Sequence, residues 1–411
     1  MTSSQQFALA QHRLHAWAWS RSLPSRQRGR AFAANAARKL LLVSLPDAIS
    51  QSQVYPFHFF APALRDRWGY EVREIGLDAL QAAPDSAPRD ADVVCFQAWI
   101  DRTPAQLREI ATLLRRQHPG ARLVFLDPCA PTDLRFASAI GAQVDVYVKK
   151  HVLRDRGAYL RPTRGDTNLA EWYGDRYGEE RPLVQHALPE GFLDKLVVGP
   201  SFVTAPYLLP RLSALDRPPA GSRRFDLHAR LGGAGDAGWY ARMRSDAQRA
   251  VRGLDGVSVT PESPIGKRAY LRELASSRAC FSPFGYGEVC WRDYEAVHAG
   301  ALLVKPDMSH VETTPDIFVP HETYLPIRWD FQDLAQAVEV AVRDDALRRR
   351  LVDNAWAALH DFAHGFQFLD ALERVFLPDA PPRATARATT AAPRPGKRAA
   401  PAQARVRGAG S

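Results

Sequence analysis

Cysteine and long apolar runs are the scarcest features of this 411-residue sequence. The four cysteines, Cys95, Cys129, Cys280 and Cys290, are too few and too scattered for a disulfide framework or a zinc site. No run approaches the roughly 18 to 20 apolar residues that a membrane-spanning helix needs. The N-terminal segment also lacks the apolar core of a secretory signal. We therefore expect a cytoplasmic protein in a reducing compartment.

Acidic residues are missing from both ends of the chain, and this explains its formal net charge of +9. Residues 1–40 and 383–411 each hold seven Lys or Arg and no acid. Removing those fourteen from the 54 basic residues leaves 40 against 45 acidic residues, so the body of the protein is acidic. An acidic body argues against specific nucleic-acid binding. The basic C-terminal segment is predicted to be disordered, either as a solvated tail or as a tail that is loosely attracted to anionic lipid headgroups at a membrane surface or to an anionic polymer.

A first series of buried strands begins after residue 38. Four short apolar segments predict its strands: 39–45, 91–99, 121–127 and 144–150. Thr103 and Pro104 open an amphipathic helix between the second and third, and Gly120 follows its end. Fully apolar strands alternating with helices favour a parallel sheet, which we expect segment 144–150 to close. Residues 151–200 have weak periodicity and are predicted to be loops and short helices.

The same alternation restarts after a proline-rich segment. Strands are predicted at 224–231, 256–261, 279–284 and 301–306, with helices between them and further helices towards the C-terminus. Two βα series indicate an α/β protein of two Rossmann-like domains facing each other across a cleft. The predicted organisation is an N-terminal extension (1–38), a first domain (39–205), a linker (206–222), a second domain with terminal helices (223–377) and a tail (378–411).

The stretch FSPFGYGEVCWRDYEAVHAGALLV, residues 281–304, carries the strongest functional signal. Its glycines, Gly285 and Gly287, follow a predicted strand, where ligands of parallel sheets bind. The helix after them points its positive end into the same space, where Arg292 can hold a diphosphate. Glu295 lies on the same helix face and can accept hydrogen bonds from a ribose diol. The alternative is a tight turn followed by an Arg292–Glu295 ion pair on the helix surface.

These residues resemble the donor-binding segment of exostosin-like and group-1-like glycosyltransferases. The matching positions are Pro283, Gly285, Tyr286, Gly287, Trp291, Arg292, Glu295, Ala296 and Gly300. The resemblance covers roughly residues 224–345. It implies a two-domain (GT-B) glycosyltransferase with the acceptor on the first domain and a nucleotide-sugar on the second. It also implies a cytoplasmic enzyme that modifies a glycan or lipid-linked acceptor, in bacterial envelope polysaccharide synthesis.

The candidate donor-binding residues are Arg230, Gly285, Tyr286, Gly287, Glu288, Arg292, Glu295 and Lys305. Arg230 and Lys305 are included because each ends a predicted strand, although a plain turn is an equal alternative for Arg230. Many group-1 members carry a second glutamate with seven residues between it and the first. That position is Gly287 in this sequence, and Glu288 is one place away. Retaining and inverting transfer therefore both stay open.

Three residues of the first domain are candidates for the catalytic base. His58 follows the first strand and its loop, and a histidine there can deprotonate an acceptor hydroxyl. Its alternative is a histidine packed among aromatic rings. Asp127 ends the predicted strand 121–127, and Asp133 follows it shortly. The sequence does not rank these candidates.

We expect no metal and no cofactor other than the nucleotide-sugar co-substrate. His360 and His364 have helical spacing but no further ligand beside them, and Asp90 and Asp92 precede a strand instead of ending it. The sequence thus favours a metal-independent glycosyltransferase. Two alternatives remain: a nucleotide-sugar epimerase or hydrolase of the same fold, and a non-catalytic glycan or nucleic-acid binding protein.

Overall fold

The computed structural model describes residues 17–232, 238–364 and 367–377. The predicted tail (378–411) and residues 1–16 of the predicted extension lie outside these ranges. Residues 17–26 are helical. The strands are β1 (Arg38–Ser44), β2 (Tyr70–Gly76), β3 (Val93–Phe96), β4 (Arg122–Asp127), β5 (Val146–Lys149), β6 (His151–Leu153), β7 (Thr163–Arg164), β8 (Leu183–Val184), β9 (Leu196–Val198), β10 (Phe225–His228), β11 (Ser277–Phe281), β12 (Leu302–Pro306), β13 (Val311–Thr313) and β14 (Leu325–Ile327).

The helices follow the predicted alternation with the strands. They are α1 (Ala48–Phe59), α2 (Ala61–Trp68), α3 (Leu77–Ala82), α4 (Pro104–Gln117), α5 (Ala137–Ile140), α6 (Asn168–Arg176), α7 (Leu209–Ala214), α8 (Gly238–Arg252), α9 (Lys267–Ala275), α10 (Trp291–His298), α11 (Leu334–Arg343), α12 (Asp345–His364), α13 (Gln367–Ala371) and α14 (Glu373–Phe376). Thr103 caps α4 in a reciprocal capping box with Gln106, as its sequence indicates. Within the described ranges, no helix is both long and apolar enough to cross a membrane.

The N-terminal lobe is built on six parallel strands in the order β2-β1-β3-β4-β5-β9. Strand β1 is buried on both faces: Leu40 and Leu41 are each 0% exposed and belong to different apolar cores. Neighbouring residues of a strand point to opposite faces, so helices cover the sheet on both sides. The predicted parallel sheet is confirmed. Segment 144–150 does not close it, because β9 pairs beyond β5.

The C-terminal lobe has a second parallel sheet, in the order β10-β11-β12-β14. Three of its strands fall at the predicted positions. Segment 256–261 was expected to be a strand but makes only an isolated bridge between Val259 and Leu227. The fourth strand is β14, whose three residues carry no strong sequence signal. The described chain thus contains two α/β lobes, each built on a parallel sheet.

Several elements cross between the lobes. Strand β6 of the first lobe pairs antiparallel with β13 of the second, over three residue pairs. The last two helices return to the first lobe, where the ring of Phe368 lies 5.3 Å from that of Phe57. The predicted linker contains helix α7, and its Leu209 and Leu212 are buried. The lobes are therefore joined by packed structure as well as by the connecting chain.

Candidate functional site

A cavity of about 540 Å³ lies beyond the carboxyl end of β11. The loop after β11 and the N-terminal halves of α8, α9 and α10 form its wall. Its lining residues are Tyr240, Arg244, Ile265, Lys267, Tyr270, Phe284, Gly285, Cys290, Trp291, Arg292 and Glu295. Ligands of open parallel sheets bind at such strand ends, and the start of a helix favours anions. We refer to this space as the basic cavity.

The start of α10 is fixed by the buried side chain of Asp293. Its Oδ2 accepts a hydrogen bond from the Cys290 backbone N at 2.8 Å, and its Oδ1 accepts one from Ser282 Oγ at 2.6 Å. The Nζ of Lys305 lies 3.2 Å from Oδ2 and balances the charge. Lys305, a predicted donor-binding residue, is thus fully buried against Asp293 and is not among the residues that line the basic cavity.

Two arginines on the wall of the basic cavity keep unused hydrogen-bond donors. Arg244 Nη2 donates to the Gly232 carbonyl at 3.1 Å, and Arg292 Nη2 donates to the Arg230 carbonyl at 2.9 Å. The Nε of each is buried and has no partner in the described part of the chain. Burial, together with the charge of Arg292, lowers the pKa of Arg244. Among the described residues, no carboxylate forms a hydrogen bond with either guanidinium, so both can take a ligand acceptor.

Glu295 lines the same cavity with two partners already in place. Its Oε1 accepts a hydrogen bond from Tyr207 Oη at 2.6 Å and forms an ion pair with Lys267 Nζ. Tyr207 belongs to the segment that connects the lobes, and Lys267 is the first residue of α9. The predicted ribose-binding carboxylate is therefore at the cavity, but Lys267 and not Arg292 pairs with it. The alternative Arg292–Glu295 surface ion pair is absent from the described contacts.

The loop after β11 contributes a backbone wall and an exposed ring. Gly285 lines the cavity, and a Cβ there would lie 3.4 Å from Cys290 Sγ, which is ordinary contact. Tyr286 is 62% exposed, and its ring stacks on Tyr240 with centroids 4.2 Å apart. Tyr240 is one helical turn before Arg244 on α8, so the ring pair stands beside the arginines.

The next two residues of this loop face the first lobe. A Cβ on Gly287 would lie 2.0 Å from the Ala130 carbonyl oxygen, so only glycine fits this close approach. Glu288 is fully buried: its Oε2 lies 3.0 Å from His151 Nε2, and its Oε1 accepts from Asn168 Nδ2 at 2.8 Å. Burial opposes its charge, but His151 and also His310, whose Nε2 lies 3.5 Å from Oε1, lower the pKa of Glu288 below its usual range. Glu288 thus ties the donor-side loop to the first lobe.

Arg230 contributes to the site through its backbone. Its guanidinium turns to α9, where Nη2 donates to Glu273 Oε1 at 2.7 Å. Its carbonyl accepts the hydrogen bond from Arg292. The Arg230 side chain, which was predicted to bind a diphosphate, therefore pairs with a carboxylate instead. At this strand end the backbone carbonyl faces α10, whereas the side chain faces α9.

None of the candidate bases lines the basic cavity. His58 Nε2 lies 3.0 Å from Glu74 Oε2, in a cluster beside the helical residues 17–26. Asp127 is 0% exposed and accepts from Lys149 Nζ at 2.7 Å, in a buried pair below the end of β4. His58 lies in the last turn of α1, so the helix places it away from the strand ends and towards the sheet edge. Asp133 lines a different cavity, on the first lobe.

Among the residues of the basic cavity that the sequence-based prediction did not include are Tyr240, Arg244 and Lys267. Tyr240 and Arg244 are four residues apart in GWYARMRSD, the spacing that puts two side chains on one helix face. That spacing could have identified them as candidates, since α8 begins directly after the glycine-rich sequence that follows β10. Lys267 is the first helical residue after Gly266 and carried no comparable signal.

No protein-family model matches the chain, and no curated protein matches it in sequence. Among solved structures, an alpha-glucosyltransferase in complex with UDP-glucose and DNA containing an abasic site has 12% identity and a TM-score of 0.42, over 81% of this chain and 98% of that chain. A putative UDP-N-acetylglucosamine 2-epimerase from Listeria monocytogenes has 11% identity and a TM-score of 0.42, over 85% and 99%. Trehalose-6-phosphate synthase OtsA has 14% identity and a TM-score of 0.41, over 74% and 75%. Identities this low transfer no residue's role to this chain.

Proposed function

We propose that this protein is a glycosyltransferase that holds the diphosphate of a nucleotide-sugar between Arg244 and Arg292. One observation carries the proposal: two guanidinium groups line one cavity at the start of α10, each with a buried Nε that has no partner in the described part of the chain. A buried donor without an acceptor costs free energy, so an acceptor is expected to complete the site.

The charge of the basic cavity favours a diphosphate over other ligands. Arg244, Lys267 and Arg292 bring three positive charges to the wall against the one negative charge of Glu295. A diphosphate supplies the missing negative charge and offers several oxygens to the planar donors of arginine. The positive end of α10 adds to the same attraction.

The remaining lining groups suit the rest of a nucleotide. Glu295 can accept hydrogen bonds from ribose hydroxyls. Lys267 would then release the Glu295 carboxylate and pair with the phosphate groups. The exposed face of Tyr286 offers a stacking surface beside Arg244. During transfer, the arginines would stabilise the charge that develops on the leaving diphosphate, so this chemistry does not require a metal.

The acceptor is proposed to be a glycan or a lipid-linked sugar. Support comes from the resemblance of residues 283–300 to the donor segment of exostosin-like and group-1-like transferases. Envelope polysaccharide synthesis in the cytoplasm, with or without contact to the membrane surface, is the setting that this resemblance implies. The base that deprotonates the acceptor stays a prediction, with His58, Asp127 and Asp133 as its candidates.

The proposal is tested by nucleotide binding to purified protein. UDP, GDP, ADP and CMP, each at millimolar concentration, are added to wild type, Arg292→Ala and Arg249→Ala, and the unfolding midpoint is recorded. Arg249 is the matched control, since it lies on α8 with its side chain 77% exposed and pairs with Asp246. We expect at least one nucleotide to raise the midpoint of wild type and Arg249→Ala but not that of Arg292→Ala.

Two results would count against the proposal. A nucleotide that stabilises Arg292→Ala as strongly as wild type would show that the donor does not bind at α10. No shift with any nucleotide in any variant would remove the donor site altogether. Where binding is found, incubation with the matching nucleotide-sugar and no acceptor separates the alternatives, because an epimerase or hydrolase consumes the donor alone and a transferase needs an acceptor.

A further inference from the structure

A second cavity, of about 560 Å³, lies on the first lobe and is closed by residues of the second. One face of α6 forms much of its wall: Asn168, Glu171, Trp172 and Asp175 all line it. Their spacing is that of a single helical face, while Tyr173 on the other face is fully buried. The helix thus presents a polar and aromatic surface to an open space. We refer to this space as the acidic cavity.

Aromatic rings stand at one side of the acidic cavity. Trp172 is 37% exposed, and its ring centroid lies 5.3 Å from that of Trp329 on the second lobe. His310 packs on Trp329 at 4.9 Å, and its Nδ1 is buried without a hydrogen-bond partner in the described residues. Indole rings combine an apolar face with a polar edge, which suits a ligand that has both C–H faces and hydroxyls.

Carboxylates stand at the other side and are held in place. Asp133 is bound through two hydrogen bonds by Arg135, which also reaches Asp166 at 3.1 Å. Glu171 Oε1 accepts from the Arg164 backbone N at 2.9 Å. A carboxylate with one oxygen anchored keeps further lone pairs for hydroxyl donors. Such groups bind neutral polyols through hydrogen bonds without needing an ion pair.

The charge of this cavity is opposite to that of the basic cavity. Its lining contains four carboxylates, Asp133, Asp166, Glu171 and Asp175, and one arginine, Arg161. Arg135 pairs with Asp133 and Asp166, and Arg164 pairs with Asp175, so among the described residues Glu171 is the lining carboxylate that has no ion pair. A phosphate or a uronate placed beside Glu171 would face an unneutralised like charge, which disfavours binding. The two cavities therefore divide the substrates by charge, with anions taken by the basic cavity and uncharged or cationic groups by the acidic one.

We propose that the acidic cavity binds the ring of an uncharged or amino sugar, and that it holds the acceptor saccharide of the transferase. The binding site itself stands on the geometry above, and only its acceptor role rests on the proposed function. The ring would stack on Trp172, and its hydroxyls would donate to Glu171 and Asp166.

The two cavities are close enough to belong to one site. Phe284 lines the basic cavity, and its ring centroid lies 5.1 Å from that of Trp329, which lines the acidic one. Asn168, on the wall of the acidic cavity, donates to Glu288 of the loop after β11. A sugar in the acidic cavity would thus be separated from a nucleotide in the basic cavity by the rings of Phe284 and Trp329.

The test is saturation-transfer NMR with four probe sugars: methyl glucoside, N-acetylglucosamine, glucosamine and glucuronate. We expect the neutral and amino sugars to bind wild type, and glucuronate to bind at least about tenfold more weakly. Trp172→Ala should lose the signal. Trp17→Ala is the matched control, because Trp17 is also an exposed helical tryptophan, at 54%, and lies outside this cavity. Glu171→Gln should reduce the difference in affinity between methyl glucoside and glucuronate, and methyl glucoside should still bind.

Equal binding of glucuronate and glucoside, unchanged binding in Trp172→Ala, or no binding of any probe would each overturn the inference. Arg292→Ala separates this proposal from the previous one. That variant should keep sugar binding while it loses nucleotide binding, and Trp172→Ala should do the reverse. Loss of both properties in both variants would show that the two cavities are not independent sites.

Discussion

Replacing Arg244 by methionine is expected to separate ligand binding from folding. Arg244 is 7% exposed, its Nε has no partner in the described residues, and its pKa is lowered by burial and by Arg292. Methionine is also unbranched and flexible, and it fills irregular apolar space well. The variant loses one hydrogen bond to the Gly232 carbonyl, worth about 1 kcal/mol, and also loses a buried charge that opposes folding. We therefore expect the unfolding free energy without ligand to stay within about 1 kcal/mol of wild type.

The expected loss appears when the nucleotide is present. At a ligand concentration of one hundred times Kd, wild type gains about 2.7 kcal/mol of stability. Hydrogen bonds to charged groups contribute roughly 1.5 to 3 kcal/mol each. Removing one arginine is therefore expected to weaken nucleotide binding by about tenfold to a hundredfold. At the same ligand concentration, the gain of the variant then falls to between about 1.4 and 0.4 kcal/mol.

Urea unfolding with and without the stabilising nucleotide measures both quantities in one experiment. Arg249→Met on the same helix is the control and should match wild type in both states, since Arg249 is a surface residue. A ligand-dependent gain equal to wild type in Arg244→Met would refute the role of Arg244. A loss of more than about 3 kcal/mol without ligand would instead make Arg244 a structural residue.

Two further changes address the contact between lobes and the titration of a buried lysine. Gly287→Ala puts a Cβ 2.0 Å from the Ala130 carbonyl oxygen and should lower the free energy of unfolding in urea by roughly 1 to 3 kcal/mol. The control, Gly285→Ala, should change it by less than about 1 kcal/mol. Equal effects of the two substitutions would contradict the close approach at Gly287. Burial lowers the pKa of Lys150 from 10.5 to about 7, so wild type should gain stability as pH rises from 7 towards 10.5. Lys150→Met should therefore be more stable than wild type at pH 7, by a margin that shrinks by pH 9.5; a margin independent of pH would show that Lys150 does not titrate in this range.

The central strands could be predicted because burial on both faces makes them apolar throughout. Strand β1, for example, contains four consecutive fully buried residues, Leu40 to Val43. The edge strand β2 has the sequence YEVREIG, where half-buried charged residues hide the pattern. Strands β9 and β14 have three residues each, too few to show any periodicity. What the sequence misses in the fold is therefore mainly at the sheet edges.

The sequence could indicate which candidate residues lie close together where they belong to one segment. Gly285, Arg292 and Glu295 all line the basic cavity, because a loop and the helix after it keep their residues together. Pairings between distant segments could not be read in this way. Lys305 is neutralised by Asp293, and Arg230 by Glu273, although each looked free at a strand end. The partner of a charged side chain depends on packing angles between helices, and the sequence contains no local signal for them.

The contacts of Glu288 limit how the lobes can move during binding. Its partner His151 is separated from it by 137 positions in the sequence, so no motif could have revealed the pair. Breaking a buried charged cluster by removing its partners typically costs about 3 to 5 kcal/mol. Opening the lobes here would also break the ladder between β6 and β13. A ligand at one hundred times its Kd supplies about 2.7 kcal/mol, which is less than that cost. Nucleotide binding alone is therefore expected to leave the lobes in the arrangement described, with Glu288 still joined to His151.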